Sequence, residues 1–270
     1  MDEKKTTITD IKNAKGTEKP LVCLTAYTDP IATLIDPHCD LILVGDSLGM
    51  VFYGLPSTED VTLEMMIAHG MAVTCKPRNS VVIVDMPCGS YEDDKDKALS
   101  NAQKLMTQTK CDGVKLEGGK DMAPIIAHLV ENSIPVMGHI GLMPQSANKT
   151  GGYKVKGKTE EGAERLLSDA KAIENAGAFA LVIEATMEET SQKITQSISI
   201  PTIGIGASAT CDGQVLVTED MLGMLTGHTP KFVKKYADLA DEISGAVEDY
   251  AKDVRSRKFP SSQYLYGATK

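Results

Sequence analysis

The sequence predicts an α/β fold: a (β/α)8 TIM barrel in a single domain, with an extra N-terminal helix and C-terminal surface helices. Three observations predict it. Eight short runs rich in Leu, Ile and Val recur along 270 residues, most of them separated by segments of helical periodicity. Such runs read as strands buried on both faces, as in a parallel sheet. Five of them end on an ionisable residue: LILVGD on Asp46, VVIVD on Asp85, VKLE on Glu117, VMGH on His139 and LVIE on Glu184. Charges at the same end of successive strands put a wet, reactive site there, as barrel enzymes do.

The elements follow in order. Thr7–Lys15 reads as a short helix placed to close the N-terminal mouth of the barrel. The candidate strands are Leu21–Thr25, Leu41–Asp46, Val81–Asp85, Gly113–Glu117, Pro135–His139, Phe179–Glu184, Pro201–Gly206 and Gln214–Val217. Helical patterns with polar faces occupy Val61–Val73, Lys95–Thr109, Met122–Asn132 and Glu161–Ala176, with a shorter, weaker one at Ser191–Ser197. The alternation implies parallel strands with right-handed crossovers. Lys231–Val254 reads as one or two surface helices. A doubly wound open sheet is the alternative, but it normally has a phosphate-binding turn after its first strand, and LTAYTDP is not one. No linker, repeat or low-complexity segment divides the chain, so residues 1–270 are expected to form one catalytic domain.

Hydrophobic residues make up 42% of the chain, ample for one large core. The net charge of −9 argues against a nucleic-acid partner, and an anionic small substrate would need a metal or a lysine in its site. No apolar stretch approaches the ~20 residues that span a membrane. MDEKKTTITD carries no apolar segment behind its lysines, so it is not a secretory signal. The six cysteines form no CxxC pair and suggest neither zinc nor a disulfide framework. Scattered reduced thiols fit a cytoplasmic protein. Cys23 and Cys88 lie near strand ends and are expected to be small buried hydrophobes.

Residues two apart on a strand share a face. Lys115 therefore points the same way as Glu117, Asp46 the same way as Val44, and Glu184 the same way as Val182. So dense a carboxylate cluster cannot stay ionised without a cation. Asp46, Asp85 and Glu117 offer hard oxygen ligands, which favours magnesium over zinc; three unrelated helix caps are the plainer reading. Glu184 is a candidate general base, or else another ligand or a partner for Lys115. His139 either holds a substrate carboxylate or ketone or is a satisfied core histidine. Lys115 allows a Schiff base, but neighbouring carboxylates would keep it charged, which suits anion binding or enolate stabilisation. The loop Gly141–Lys158, with its glycines and four lysines, is either a lid or a solvated loop. GIGA at Gly204–Ala207 is a weak phosphate-loop signal and more simply reflects close backbone packing at the rim.

These residues lie inside longer strings: LVGDSLGMVFYG, VDMPCGSY, VKLEGG, PVMGHIGLMPQS, GGYKVKGK, AGAFALVIE and IPTIGIGASATCDGQVLV. From about Thr25 to Tyr236 the chain resembles the ketopantoate hydroxymethyltransferase family. The resemblance implies a barrel of the phosphoenolpyruvate mutase and isocitrate lyase type, assembled as a homodecamer. It implies Mg2+ and 5,10-methylenetetrahydrofolate as co-substrate, with a 2-oxoacid, 3-methyl-2-oxobutanoate, converted to 2-dehydropantoate in pantothenate biosynthesis. Asp46, Asp85 and Glu117 match metal-site positions; Asp46, Ser47, Asp85 and Lys115 match substrate contacts. Glu184 matches the proton acceptor and His139 a polar active-site position. Another Mg-dependent 2-oxoacid lyase or mutase of the same superfamily, a Schiff-base aldolase and a non-catalytic ligand-binding barrel are the competing readings. The chain departs from the family's usual pattern at Thr28, where an aspartate is common, at Cys88, where an aromatic is common, and at Ser208, usually glycine. The first two put folate fit in question.

Overall fold

In the computed structural model all eight runs are strands, all parallel, and they close into a barrel in chain order. They are β1 (Leu21–Thr25), β2 (Leu41–Val44), β3 (Val81–Asp85), β4 (Gly113–Glu117), β5 (Val136–Gly141), β6 (Ala180–Glu184), β7 (Thr202–Ile205) and β8 (Gly213–Leu216). β8 pairs with β1, so no strand edge is left open. The structure describes residues 5–148, 151–227 and 229–267.

α1 (Ile8–Asn13) precedes the barrel. α2 (Asp29–Ile35), α3 (Leu48–Val51), α4 (Leu63–Thr74), α5 (Lys95–Thr109), α6 (Ala123–Glu131), α7 (Glu160–Asn175) and α8 (Glu188–Ser197) lie between the strands. Their starts have local causes. The Asp94 carboxylate accepts the N–H groups of Asp96 and Lys97, the Thr62 hydroxyl that of Met65, and the Thr159 hydroxyl that of Gly162.

Strand alternation divides the core in two. Leu41, Leu43, Val81, Ile83, Met137, Val182, Ile203 and Val215 form one cluster inside the barrel. Ile42, Val44, Val82, Val84, Val114, Leu116 and Ile183 pack outward with Met66, Leu105, Ile126 and Ile173 of the helices. Ile11 of α1 is fully buried in the inner cluster, so α1 closes the N-terminal mouth as expected. The closure is tied to the far end of the barrel chain: Lys15 Nζ lies 3.0 Å from Asp212 Oδ2, and Gly16 N–H donates to Asp212 Oδ1 at 2.8 Å. Cys23 is buried in the same interior, and burial raises its thiol pKa well above the usual value, as for an inert small hydrophobe. Cys23, Cys39, Cys75, Cys111 and Cys211 are in no disulfide; Cys88 is half-buried and Cys75 exposed.

One connection carries no helix, and the sequence shows no helical pattern there. β7 and β8 are joined by residues 206–212 alone. An extended chain covers about 3.3–3.6 Å per residue, so seven residues reach about 23 Å, enough to return along a short strand of about 13 Å.

From Glu219 onward the chain forms a second compact unit. α9 (Thr218–Met221) stands at the boundary. α10 (Leu239–Arg255) occupies most of the segment expected to be a surface helix, and none of its residues is buried.

The floor of the barrel is a place to test packing. Ile11→Ala is expected to destabilise the protein by about 2–5 kcal/mol in urea unfolding, and Ile11→Val by only about 0.5–1.5 kcal/mol.

Candidate active site

Strand register brings the predicted residues together. Partnered residues on neighbouring parallel strands face the same side of the sheet. Asp85 partners Lys115, and Glu117 partners His139. His139 partners Val182, an interior residue, and Glu184 lies two residues beyond it on the same face. Asp46 arrives by another route. Alternation would point it the way of Val44, which packs outward against the helices. Instead β2 ends at Val44, and the turn at Gly45 carries Asp46 over the rim. There its N–H donates to Asp85 Oδ2 at 3.1 Å.

Asp46, Asp85, Lys115, Glu117 and His139 are all 5% exposed or less; Glu184 is half-buried. Lys115 Nζ lies 3.2 Å from Asp85 Oδ2 and 3.2 Å from His139 Nδ1. His139 Nδ1 is 3.4 Å from Glu117 Oε1, and its Nε2 is 3.3 Å from Glu184 Oε2. Burial, then the charges of Asp85 and Glu117, hold the Asp46 carboxyl well above the usual carboxylate range. Burial also raises Asp85, against the opposing pull of Lys115. Burial alone would lower the pKa of Lys115; the charges of Asp85, Glu117 and Asp46 outweigh it and raise the amine instead. Burial and Lys115 likewise push His139 down, but Glu117 and Glu184 prevail, and its pKa rises to about 9.

The donor set fits a hard cation. Asp85 Oδ1 and Glu117 Oε1 are buried oxygens that accept no hydrogen bond, a costly state that a cation would relieve. Among the described residues no three His, Cys, Asp or Glu side chains converge closely enough to ligate one ion directly. Magnesium does not require that, because it is commonly held by one or two carboxylates and keeps several waters.

Ser47 Oγ hydrogen-bonds the Tyr27 hydroxyl at 2.8 Å at the start of α3. The loop after β5 is fastened rather than merely solvated. Lys156 N–H donates to Ala185 O at 2.9 Å, Met187 N–H to Lys156 O at 3.0 Å, and the Tyr153 hydroxyl reaches Met50 Sδ at 3.6 Å. Lys154 is exposed and Lys156 half-buried; Lys149 lies outside the described residues. Gly204 is a packing glycine: a Cβ there would meet Gln214 Oε1 at 3.0 Å and Cys211 Sγ at 3.2 Å. Thr28 caps α2 without a side-chain hydrogen bond. Ser208 is buried, its hydroxyl 3.0 Å from that of Thr210.

Two residues were not singled out from sequence: Gln145, which contacts two of the carboxylates, and Tyr91, which contacts Gln145 and the Glu117 backbone. Gln145 Nε2 donates to Asp46 Oδ2 at 2.7 Å, and its backbone N–H donates to Glu117 Oε2 at 3.1 Å. The Tyr91 hydroxyl donates to Gln145 Oε1 at 2.6 Å. Both lie in loops within the strings DMPCGSY and PVMGHIGLMPQS. Uncharged polar loop residues carry no local signal of burial; only the repetition of such strings would have drawn attention to them.

His139 has a pH signature. With a folded pKa of about 9 against about 6.5 unfolded, it contributes stability that is fully present below pH ~6.5. That contribution is lost as pH rises through ~9. In metal-free protein, NMR titration of the imidazole is expected to show the raised pKa, and Glu184→Gln is expected to lower it.

The model of the family described as "Ketopantoate hydroxymethyltransferase" matches residues 5–262. The chain is 55% identical to the 3-methyl-2-oxobutanoate hydroxymethyltransferase of Brucella canis over 258 residues, 96% of this chain and 94% of that one. It is 52% identical to the protein of the same name from Rhodospirillum rubrum over 265 residues, 98% and 95% of the two chains. Among solved structures, 2,3-dimethylmalate lyase, a PEP mutase/isocitrate lyase superfamily member, superposes with a TM-score of 0.60 at 15% identity, over 97% of this chain and 92% of that one. Phosphonopyruvate hydrolase in complex with oxalate and Mg++ gives 0.61 at 12% identity, over 96% and 93%. These two share the fold. The match along nearly the whole length, at more than half of all positions, settles the family: the chain belongs to the ketopantoate hydroxymethyltransferases.

Proposed function

We propose that the protein transfers a hydroxymethyl group from 5,10-methylenetetrahydrofolate to 3-methyl-2-oxobutanoate, giving 2-dehydropantoate, the first step of pantothenate biosynthesis. The observation that carries the reading is the pairing of a carboxylate base with a fixed ammonium at one mouth. Glu184 lies 3.3 Å from His139, and His139 lies 3.2 Å from Lys115.

Asp46, Asp85 and Glu117 would hold Mg2+, one or two of them directly and the rest through its waters. When bound, the ion draws electrons from the carboxylate and ketone oxygens of the oxoacid and acidifies the C–H beside the ketone. Asp46, Ser47 and Asp85 line the oxoacid's seat. Glu184 takes the proton from that carbon, with His139 holding the carboxylate in place. The ammonium of Lys115 faces the oxygen on which enolate charge develops. The enolate carbon then bonds to the methylene carbon as one of its two bonds to a folate nitrogen opens; water's hydroxyl replaces the other nitrogen, and the proton taken by Glu184 and the proton left by water go to the two nitrogens of the departing tetrahydrofolate. Lys154 and Lys156 meet the folate's glutamate tail. The three carboxylates keep Lys115 protonated, which favours this role over a Schiff base.

The working form is a cytoplasmic homo-oligomer, a homodecamer by family resemblance. In support, Ile243, Val247, Tyr250 and Val254 lie on one face of α10, a helix with no buried residue. No helix among the described residues is long and apolar enough to cross a membrane.

Glu184→Gln is expected to bind the oxoacid normally but to lose exchange of the proton beside the ketone by ~10²–10⁴-fold, followed by NMR in D2O. Normal exchange would remove Glu184 from the base role. Chelation is expected to abolish turnover and added Mg2+ to restore it. Full activity in chelator, with an adduct trapped by borohydride, would point to the Schiff-base mechanism instead. Metal binding and oxoacid proton exchange without condensation onto the folate unit would favour another lyase or mutase of the superfamily. Charge removal at Lys154 and Lys156 together is expected to weaken polyglutamylated folate, and unchanged affinity would exclude the tail contact.

A further inference from the structure

We propose that Gln145 is the positioning residue of the cation site. Its side-chain amide and backbone N–H hold Asp46 and Glu117 so that Asp85 Oδ1 and Glu117 Oε1 stay open to a divalent ion. The proposal rests on the magnesium reading above. Gln145 is 4% exposed and sits in the 3-10 turn Pro144–Ser146 on the loop after β5, outside the strand framework that carries the carboxylates.

Every polar group of this residue is engaged. Nε2 donates to Asp46 Oδ2 at 2.7 Å and to Met86 O at 2.9 Å. The backbone N–H donates to Glu117 Oε2 at 3.1 Å, and the carbonyl accepts from the Cys88 thiol at 3.8 Å. A carboxylate and a carbonyl only accept, so the amide nitrogen must face them; the Tyr91 hydroxyl, donating at 2.6 Å, marks the amide oxygen. Tyr91 also accepts the Glu117 N–H at 3.0 Å. A chain of neutral groups thus runs from Glu117 through Tyr91 and Gln145 to Asp46.

Neutrality is what the task needs. A lysine at this place would cancel part of the negative charge that attracts the cation. A glutamate would add repulsion and offer no donor. An amide orients both carboxylates and leaves the charge of the site unchanged. Gln145 fixes one oxygen of Asp46 and one of Glu117, and the backbone N–H of Asp46 in turn fixes one oxygen of Asp85; the second oxygens of Asp85 and Glu117 are left for the ion, as outer partners do for metal ligands generally.

The test is Mn2+ binding to the full-length protein without folate or oxoacid, followed by electron paramagnetic resonance. Gln145→Met keeps the length of the side chain and removes its polar groups. It is expected to weaken Mn2+ by ~10–100-fold. Tyr91→Phe deletes only the hydroxyl and is expected to weaken the ion in the same direction by a smaller factor. A residue that merely packed the loop would lower the urea midpoint and leave the affinity of the folded protein alone. Affinity within about twofold of wild type in both folded variants would therefore overturn the proposal. If Gln145→Met does not fold, Tyr91→Phe decides by the same criterion. Wild-type protein that binds no Mn2+ is a separate result: it overturns the magnesium reading, and the role of Gln145 with it.

Discussion

Three carboxylates buried around one ammonium set the terms for everything else at this barrel mouth. Taking an ion out of water costs several kcal/mol even after the protein relaxes, and Asp46, Asp85 and Glu117 are all nearly inaccessible. Lys115 repays part of that cost directly through Asp85. The remainder falls to neutral donors: the Asp46 N–H on Asp85, and Gln145 on Asp46 and Glu117. The compensation is incomplete, which is why Asp46 and Asp85 titrate high and Asp85 Oδ1 accepts no hydrogen bond. The same imbalance decides the chemistry of the lysine. An amine crowded by acids stays protonated, which supports the charge-stabilising role proposed for it over a nucleophilic one.

The end of β6 shows how the backbone serves this arrangement. Gly141 closes β5 at φ +98°, and a Cβ there would lie 2.2 Å from Glu184 O. The next residue after Glu184, Ala185, adopts a left-handed φ of +42°, unusual for a side-chain-bearing residue. Its N–H still bonds Ile205 O at 2.8 Å, and its carbonyl receives Lys156 of the loop. Local strain is thus accepted where the strand must stop abruptly beneath the Glu184 carboxylate.

β2 and β3 were most legible because both-face burial leaves uninterrupted runs of Leu, Ile and Val, and Lys95–Thr109 because its polar and apolar faces alternate cleanly over 15 residues. The shared mouth was legible because period-two alternation carries Lys115, Glu117 and Glu184 to one side. Asp46 escaped that logic: alternation holds only while the chain is a strand, and β2 ends two residues earlier. α2 was not separated from its surroundings, since seven residues with a proline near the start are too few to display a period. The helix-free connection between β7 and β8 was legible too, because the two runs stand only seven residues apart. Gln145 and Tyr91 became visible only through tertiary contact, because hydrogen-bonding partners from different loops share no sequence spacing.

Closing the barrel floor with the first helix also orders the events of folding. Lys15 and Asp212 are 197 positions apart in the chain. During synthesis α1 emerges first, yet the partners that seat it, on the segment between β7 and β8, emerge nearly last. The N-terminal segment must therefore wait, its buried face uncovered, until almost the whole barrel has been made. Contacts of such long sequence separation slow folding, and apolar surface exposed meanwhile invites association. Ile11, which fills the floor of the core, is thus made before every strand of the barrel, yet the contacts that tie its helix down wait for the segment after β7.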